Sequence, residues 1–275
     1  DKYSILKKDE TLPNLKILAN FWNDVYHQNP DRFSNNILKK LFVLNYAPNG
    51  MWTYFLSVYF LQNKDDNEQL DENKLDDFLT KIIAFVWAYS FVNPGVNALR
   101  TPVYAEMINI VTGKAVNFVD FKFDENTLST AITNFEFKNG RPITKSMLTW
   151  WAFNNELQSL PVFNTSFEIE HIFAKKRQEN DKSLQNIRNL ESLGNKAILE
   201  EKINIRASDY RFADKIKYYQ GFTNDKGQYK QGTINAELVN LTSSNNDFTE
   251  LDIENRNRKI IDGFILFLKE NELLK

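Results

Sequence analysis

IEHIFAK, residues 169–175, and LGNKAILEEKIN, residues 193–204, are the two stretches that decide how this chain reads. Phe167-Glu168-Ile169-Glu170-His171-Ile172 alternates apolar and polar residues, the period of a half-buried strand. A polar, basic loop is expected from Lys175 to about Asn189. Asn195-Lys196-Ala197-Ile198-Leu199 reads as a second short strand. From Ile203 through Asp209, Phe212, Ile216 and Tyr219 the spacing of apolar residues turns helical. The predicted order is therefore strand, long loop, strand, helix.

That order has chemical content. The chain has 275 residues but only two histidines, His27 and His171, and no cysteine. This excludes a thiol nucleophile, disulfides, Cys-ligated metal and a zinc site built mainly from histidine. Any general-base histidine is one of these two, and His27, at a predicted helix end before Gln28-Asn29-Pro30, reads as a surface or capping residue. Hydrolysis of a phosphodiester needs a base for water, a hard cation for the phosphate and leaving oxygen, and a frame that holds both. Imidazole suits the first near neutral pH. Mg²⁺ suits the second and takes carboxylate, amide and water oxygens. At a strand end, adjacent Glu170 and His171 can flank one phosphate, and a further ligand from the following helix falls at Asn204.

These residues resemble the ββα-metal, or HNH, nuclease motif: carboxylate-His, a loop, Asn, then a helix bearing Asn or His. The nine-residue step from Asn195 to Asn204 matches that of the family. The run Asn204, Ser208, Phe212, Lys215, Tyr218, Tyr219 (N-x₃-S-x₃-F-x₂-K-x₂-YY) narrows it. It is similar to the carboxy-terminal nuclease half of GmrS/GmrD-type modification-dependent restriction proteins. The late helix with Ile253, Arg256 and Phe267 is similar to that group's ending. The resemblance is carried by residues 165–275. It implies His171 as general base, Glu170 and Asn204 as ligands of Mg²⁺ or Mn²⁺, and Asn195 as the tie between loop and histidine strand. It also implies DNA as substrate, restriction or phage defence as context, and a separate nucleotide-dependent regulatory part that this chain does not show. Two departures stand out: Glu170 replaces the more usual Asp, and Ala174 stands where Pro commonly follows.

Each position has a plainer reading beside this one. His171 reads also as a structural strand residue, Glu170 as a solvent-facing carboxylate, Asn195 as a turn residue after Gly194, and Asn204 as a helix cap. Asn is 34 of the 275 residues, so an Asn pair at a given spacing is weak evidence alone. Lys175, Lys176, Arg177, Arg206, Arg211, Lys215 and Lys217 are candidate phosphate contacts or ordinary surface charges. Arg256 either reaches the same groove or supports helix packing.

The rest of the chain supplies the setting. Net charge is −2, but residues 171–230 hold 13 Lys and Arg against 8 Asp and Glu, a basic island in an acidic chain. Hydrophobic residues are 42% and charged residues 25%, as in an ordinary globular protein. Gly and Pro are scarce, 9 and 7 residues, which favours long helices over many short strands. Length suggests about two domains. Residues 1–160 read as helices. Leu15, Leu18, Phe21, Trp22, Val25 and Tyr26 share one face, Ser34 caps a helix carrying Ile37, Leu38, Leu41 and Phe42, and 51–62 forms a buried helix. An acidic loop, 63–73, precedes another amphipathic helix. Further helices are expected near 99–113, 126–136 and 142–155, with Pro142 in a first turn.

Thr249 and Asp252 make a capping pair for a terminal helix over 249–274, with Ile253, Ile260, Ile261, Phe264, Ile265 and Leu268 inward. The fold class expected is α+β, mainly α: a helical region over 1–160, then an HNH-like ββα-metal domain with a C-terminal helix over 161–275. No apolar run is long enough to span a membrane and no start resembles a signal peptide. With no cysteine used, a cytoplasmic protein is expected. The first residue is Asp, so a fragment or processed form is expected. No GxxxxGK[ST] or GxSxG motif is present. The alternative to a DNA endonuclease is a non-catalytic nucleic-acid-binding or protein-interaction module on a degenerate HNH scaffold. A homodimer is open in either case.

Overall fold

The structure, a computed structural model, describes residues 8–95 and 97–275. It is mainly helical, with two small two-stranded sheets, so the α+β, mainly α expectation holds. The chain divides into two compact units, 1–123 with 271–275, and 124–270. The boundary expected at 160 falls inside the second unit, whose first two helices belong with the strands that follow them.

The first unit contains α1 (Thr11–Tyr26), α2 (Asn35–Leu44), α3 (Met51–Asn63), α4 (Glu72–Val92) and α5 (Arg100–Val111). Ser34 caps α2 by accepting from the Ile37 amide, and Asp71 caps α4 by accepting from the Lys74 amide. α3 buries Trp52, Phe55, Leu56, Tyr59 and Phe60, as its all-round apolar sequence requires. The stripe expected on α1 is only partly used. Phe21 and Val25 are buried, whereas Leu15 and Tyr26 are 55% and 66% exposed. Spacing identifies a face but not how far a neighbour covers it.

The second unit runs α6 (Glu125–Thr133), α7 (Pro142–Phe153), β1 (Phe167–His171), α8 (Lys175–Asp181), β2 (Lys196–Glu200), α9 (Glu201–Ala207), α10 (Phe212–Gln220), β3 (Gly221–Thr223), β4 (Tyr229–Gln231), α11 (Ala236–Ser244) and α12 (Glu250–Glu270). β1 and β2 are antiparallel, with Glu170 opposite Ala197 and His171 opposite Lys196. Strand, connection, strand, helix is the order read from sequence. Three details differ from that reading. The connection expected as loop folds into α8 and two 3-10 turns, Ile187–Glu191 and Leu193–Asn195. The helix expected from 203 onward is two helices, α9 and α10, because Ser208 takes φ 42° and turns the chain. β3, β4 and α11 had no clear sequence signal.

The core beneath β1 and β2 joins Ile172, Phe173, Ala197, Leu199, Ile203 and Phe212 to Leu238, Phe248 and Ile253. α12 closes it. Thr249 and Asp252 cap this helix reciprocally, and Ile253, Ile260, Ile261, Phe264 and Leu268 are buried. Ile265, expected inward, is only half-buried. Each fully buried side chain of this size contributes about 1.5–3 kcal/mol over an exposed one. Gly194 packs so tightly on α12 that a Cβ there would lie 2.0 Å from the Ile253 carbonyl oxygen. The LGN turn therefore needs glycine for close approach to a helix backbone.

Candidate active site

Arg256 shows how the fold anchors the site. Its buried guanidinium donates from one nitrogen to the Leu193, Gly194 and Lys196 carbonyls, at 2.8, 3.0 and 2.7 Å. Its other nitrogens donate to Glu237, at 2.8 and 2.7 Å. This buried group is support for the turn and not a groove contact. The turn it holds carries Asn195, which is fully buried. Asn195 Oδ1 accepts from the Phe173 amide at 2.7 Å. Its Nδ2 donates to the Phe173 and Leu190 carbonyls, both at 3.1 Å. Its backbone oxygen accepts from the Ile172 amide at 2.9 Å. Asn195 thus stitches the chain just past His171 to the start of β2.

Glu170 and His171 end β1 and line one pocket of about 190 Å³ with Ile169, Asn204, Ser208, Asp209 and Lys215. Glu170 is only 4% exposed. Its Oε1 accepts from Lys215 Nζ and from the Tyr219 hydroxyl, each at 2.6 Å. No hydrogen bond from the described residues falls on Oε2. Burial pushes the Glu170 carboxyl above its usual range, against the opposing pull of Lys215 and Tyr219. Burial and then Glu170 push the Tyr219 phenol well up, so it stays a donor. Lys215 Nζ also donates to the His171 carbonyl at 2.7 Å.

The His171 ring is largely enclosed. Its Nε2 is buried with no hydrogen-bond partner and lies 3.6 Å from Glu191 Oε1. Burial lowers the imidazole pKa, helped by the nearby positive charges of Lys196 and Lys175 and opposed by Glu191. The ring is therefore neutral near pH 7, the form that accepts a proton. Glu191 has the reverse balance. Burial raises its pKa, but hydrogen bonds from Lys175 and Lys196 outweigh this and hold it low.

The structure brings Glu170, His171 and Asn204 to one pocket and leaves Asn195 behind it. The cations divide. Lys215, read as a phosphate contact or surface charge, is neither; at 1% exposure it is committed to Glu170. It sits one helical turn before Tyr219, so both reach inward to the same carboxylate. Arg177 is half-buried over the Phe173 ring and pairs with Asp247 at 2.6 Å. Arg211 pairs with Asp181 at 2.6 Å, and Lys175 with Glu191 at 2.7 Å. Arg206 donates to the Lys202 and Gln231 carbonyls. Lys217 lies over the Tyr218 ring, and Lys176 is exposed. Outside the pocket, these are scattered surface cations.

Glu191 carries no sequence signal of a site role, and Lys196 reads only as part of a strand. Nothing in their spacing marks them; only the cross-strand pairing of Lys196 with His171 does. The quoted run Asn204, Ser208, Phe212, Lys215, Tyr218, Tyr219 did contain the missing part. Its members line the pocket, fill the core or hold Glu170.

For a cation, the donor set has a definite character. Among the described residues no group of three or more His, Asp or Glu converges on one point. What the pocket offers is the Glu170 carboxylate, the Asn204 amide, which makes no side-chain hydrogen bond to the described chain, and Asp209 on the rim. A sparse set of hard oxygens fits Mg²⁺ or Mn²⁺, which keep waters and take substrate phosphate oxygens. It does not fit zinc in a closed protein cage.

A family model described as GmrSD restriction endonucleases, C-terminal domain, matches residues 123–262. No curated protein and no solved structure matches the chain. No helix among the described residues is long and apolar enough to cross a membrane.

Proposed function

The chain belongs to the GmrSD restriction endonuclease family, whose C-terminal domain it carries, and on that premise we propose that it is an HNH-type, cation-dependent DNA endonuclease. The observation that carries this reading is the adjacency of Glu170 and His171 at the end of β1, in one pocket with Asn204. His171 Nδ1 takes a proton from water, because Nε2 is the buried nitrogen. The hydroxide oxygen bonds to phosphorus, the bond to the leaving oxygen breaks, and that oxygen is protonated from solvent. Glu170, through Oε2, and Asn204 would hold Mg²⁺ or Mn²⁺, which would supply neutralisation of charge at the phosphate and leaving oxygen. Lys215 and Tyr219 keep Glu170 aimed by fixing its other oxygen. Lys175, Lys176, Arg206, Arg211 and Lys217 supply phosphate contacts that position DNA without reading sequence.

The test is plasmid nicking with Mg²⁺ or Mn²⁺. His171→Ala is expected to lower the rate by about 10²–10⁴-fold while gel retardation of DNA changes little, because a base acts in the transition state. Glu170→Ala is expected to be inactive as well. Cleavage that persists in both variants refutes the assignment. One observation favours a non-catalytic, DNA-retaining module instead: the Lys215 ammonium already occupies one oxygen of Glu170. Retardation without cleavage by the wild type, unchanged by His171→Ala, would establish that second reading.

A further inference from the structure

We propose that Glu191 is a positioning residue for His171: its carboxylate accepts the Nε2 proton of the imidazole and so leaves Nδ1 as the open base. This rests on the nuclease reading of the site and adds to it a residue that no motif supplied.

The argument starts from the buried nitrogen. His171 Nε2 is shielded from solvent and has no hydrogen-bond partner. An unmatched polar atom in such a position is costly, and native proteins rarely leave one. The group that faces it is Glu191 Oε1, at 3.6 Å. A shift of about 0.7 Å closes that gap to hydrogen-bond distance. Contacts between a catalytic base and its orienting group are commonly long in the unloaded state.

Glu191 is held where such a shift is productive. It ends the 3-10 turn before β2, and two lysines grip it from opposite sides. Lys175 Nζ contacts Oε1 at 2.7 Å and Lys196 Nζ contacts Oε2 at 2.5 Å. Lys196 is fully buried, and its ammonium also donates to the Phe137 carbonyl and to Asn139 Oδ1. It stands directly across the sheet from His171, so the two side chains share one face. The buried ammonium requires a carboxylate, and the register puts that carboxylate beside the ring. One ion pair thus stabilises the strand pair and delivers an acceptor to Nε2.

The chemistry gives the arrangement its purpose. When Nδ1 takes the proton of the attacking water, the ring becomes a cation. The Glu191 carboxylate, 3.6 Å from Nε2 and held there by Lys175 and Lys196, is the negative group placed to face that cation. A carboxylate on the far nitrogen also selects the tautomer whose lone pair is on Nδ1, the role an orienting acid plays toward a catalytic histidine.

The chain's two histidines make the test clean. In protein labelled with ¹⁵N-histidine, free of metal and DNA, the wild type is expected to show a downfield, slowly exchanging proton on His171 Nε2. Removing Glu191 alone strands Lys196, so the variant is Glu191→Ala combined with Lys196→Met, which leaves no buried charge unpaired. There the proton is expected to move upfield or exchange away. kcat is expected to fall about 10–100-fold because the base is impaired, and any change in KM reports Lys175, which the variant also releases from its ion pair. Glu191→Asp, which keeps the charge but draws it back from the ring, is expected to fall between the two. A wild-type proton on Nδ1 overturns the proposal, as does an Nε2 signal that stays put in the double variant, or a double variant of undiminished kcat. The ring proton is read without substrate. A wild type that shows it yet cuts no DNA therefore refutes the nuclease reading and not the contact.

Discussion

Asn195→Ala gives the sharpest test of how the site is built. The side chain makes three hydrogen bonds, to the Phe173 amide, the Phe173 carbonyl and the Leu190 carbonyl, and none of its surface reaches solvent. Each bond contributes about 1 kcal/mol net, and the Phe173 N–H left unmatched in the interior adds a desolvation cost. The expected loss is about 3 kcal/mol. That is roughly a hundredfold or more in the local opening equilibrium. The assay is native-state hydrogen exchange at the Phe173 amide, which is expected to speed up by about two orders of magnitude. Asn195→Asp has nearly the same volume but replaces two donors by acceptors facing carbonyl oxygens. It is expected to destabilise at least as much as Ala. A turn residue of no special function tolerates Asn→Asp. Protection of Phe173 unchanged in Asn195→Ala, or wild-type stability in Asn195→Asp, would refute the claim that this side chain ties the histidine strand to the turn.

Three further outcomes follow from the same geometry. Lys215→Met removes the cation from a buried carboxylate, and is expected to cost about 3–5 kcal/mol; a urea midpoint shifted by less than about 1 kcal/mol in equivalent stability argues that Glu170 is held otherwise. Gly194→Ala brings a Cβ within 2.0 Å of a helix carbonyl and is expected to cost about 3 kcal/mol. Gly140→Ala, with nothing within 4 Å, is the near-neutral control, and equal effects of the two would contradict the packing argument. Glu250 accepts from the Gln185 and Asn186 amides and from Asn189 Nδ2, each at 2.8 Å. Burial raises its pKa, and these bonds together outweigh it and lower it below the usual 4.5. A depressed folded value means stability that is present above the unfolded pKa and lost as pH falls through the folded one. The stability gap between wild type and Glu250→Gln is therefore expected to be full near neutral pH and to shrink as pH falls below about 4.5; a gap independent of pH shows that the charge is not what matters.

The parts of this protein legible in its sequence are those written locally. Strand alternation placed β1, and Thr249 with Asp252, Ser34 and Pro142 marked helix starts because caps act within three residues. Adjacency alone put Glu170 beside His171. One helical pattern spans the break at Ser208, because periodicity on either side does not register a backbone turned to positive φ.

Only the tertiary structure decided what the long charged side chains do. Lys215 reads like Lys217 two positions on, yet one is sealed against Glu170 and the other is exposed, lying over the half-buried Tyr218 ring. Arg256 reads as either a groove contact or a support for helix packing, and the fold makes it the support, gripping a turn some sixty residues earlier. Glu191 reaches the His171 ring, and Lys196 reaches Glu191, because strand register and a helical turn bring them there. The physical reason is range. Hydrogen-bonded caps and apolar periods are set by neighbours in the chain, whereas a flexible charged side chain takes whichever partner the packed core sets within its reach, and sequence spacing carries no record of that choice.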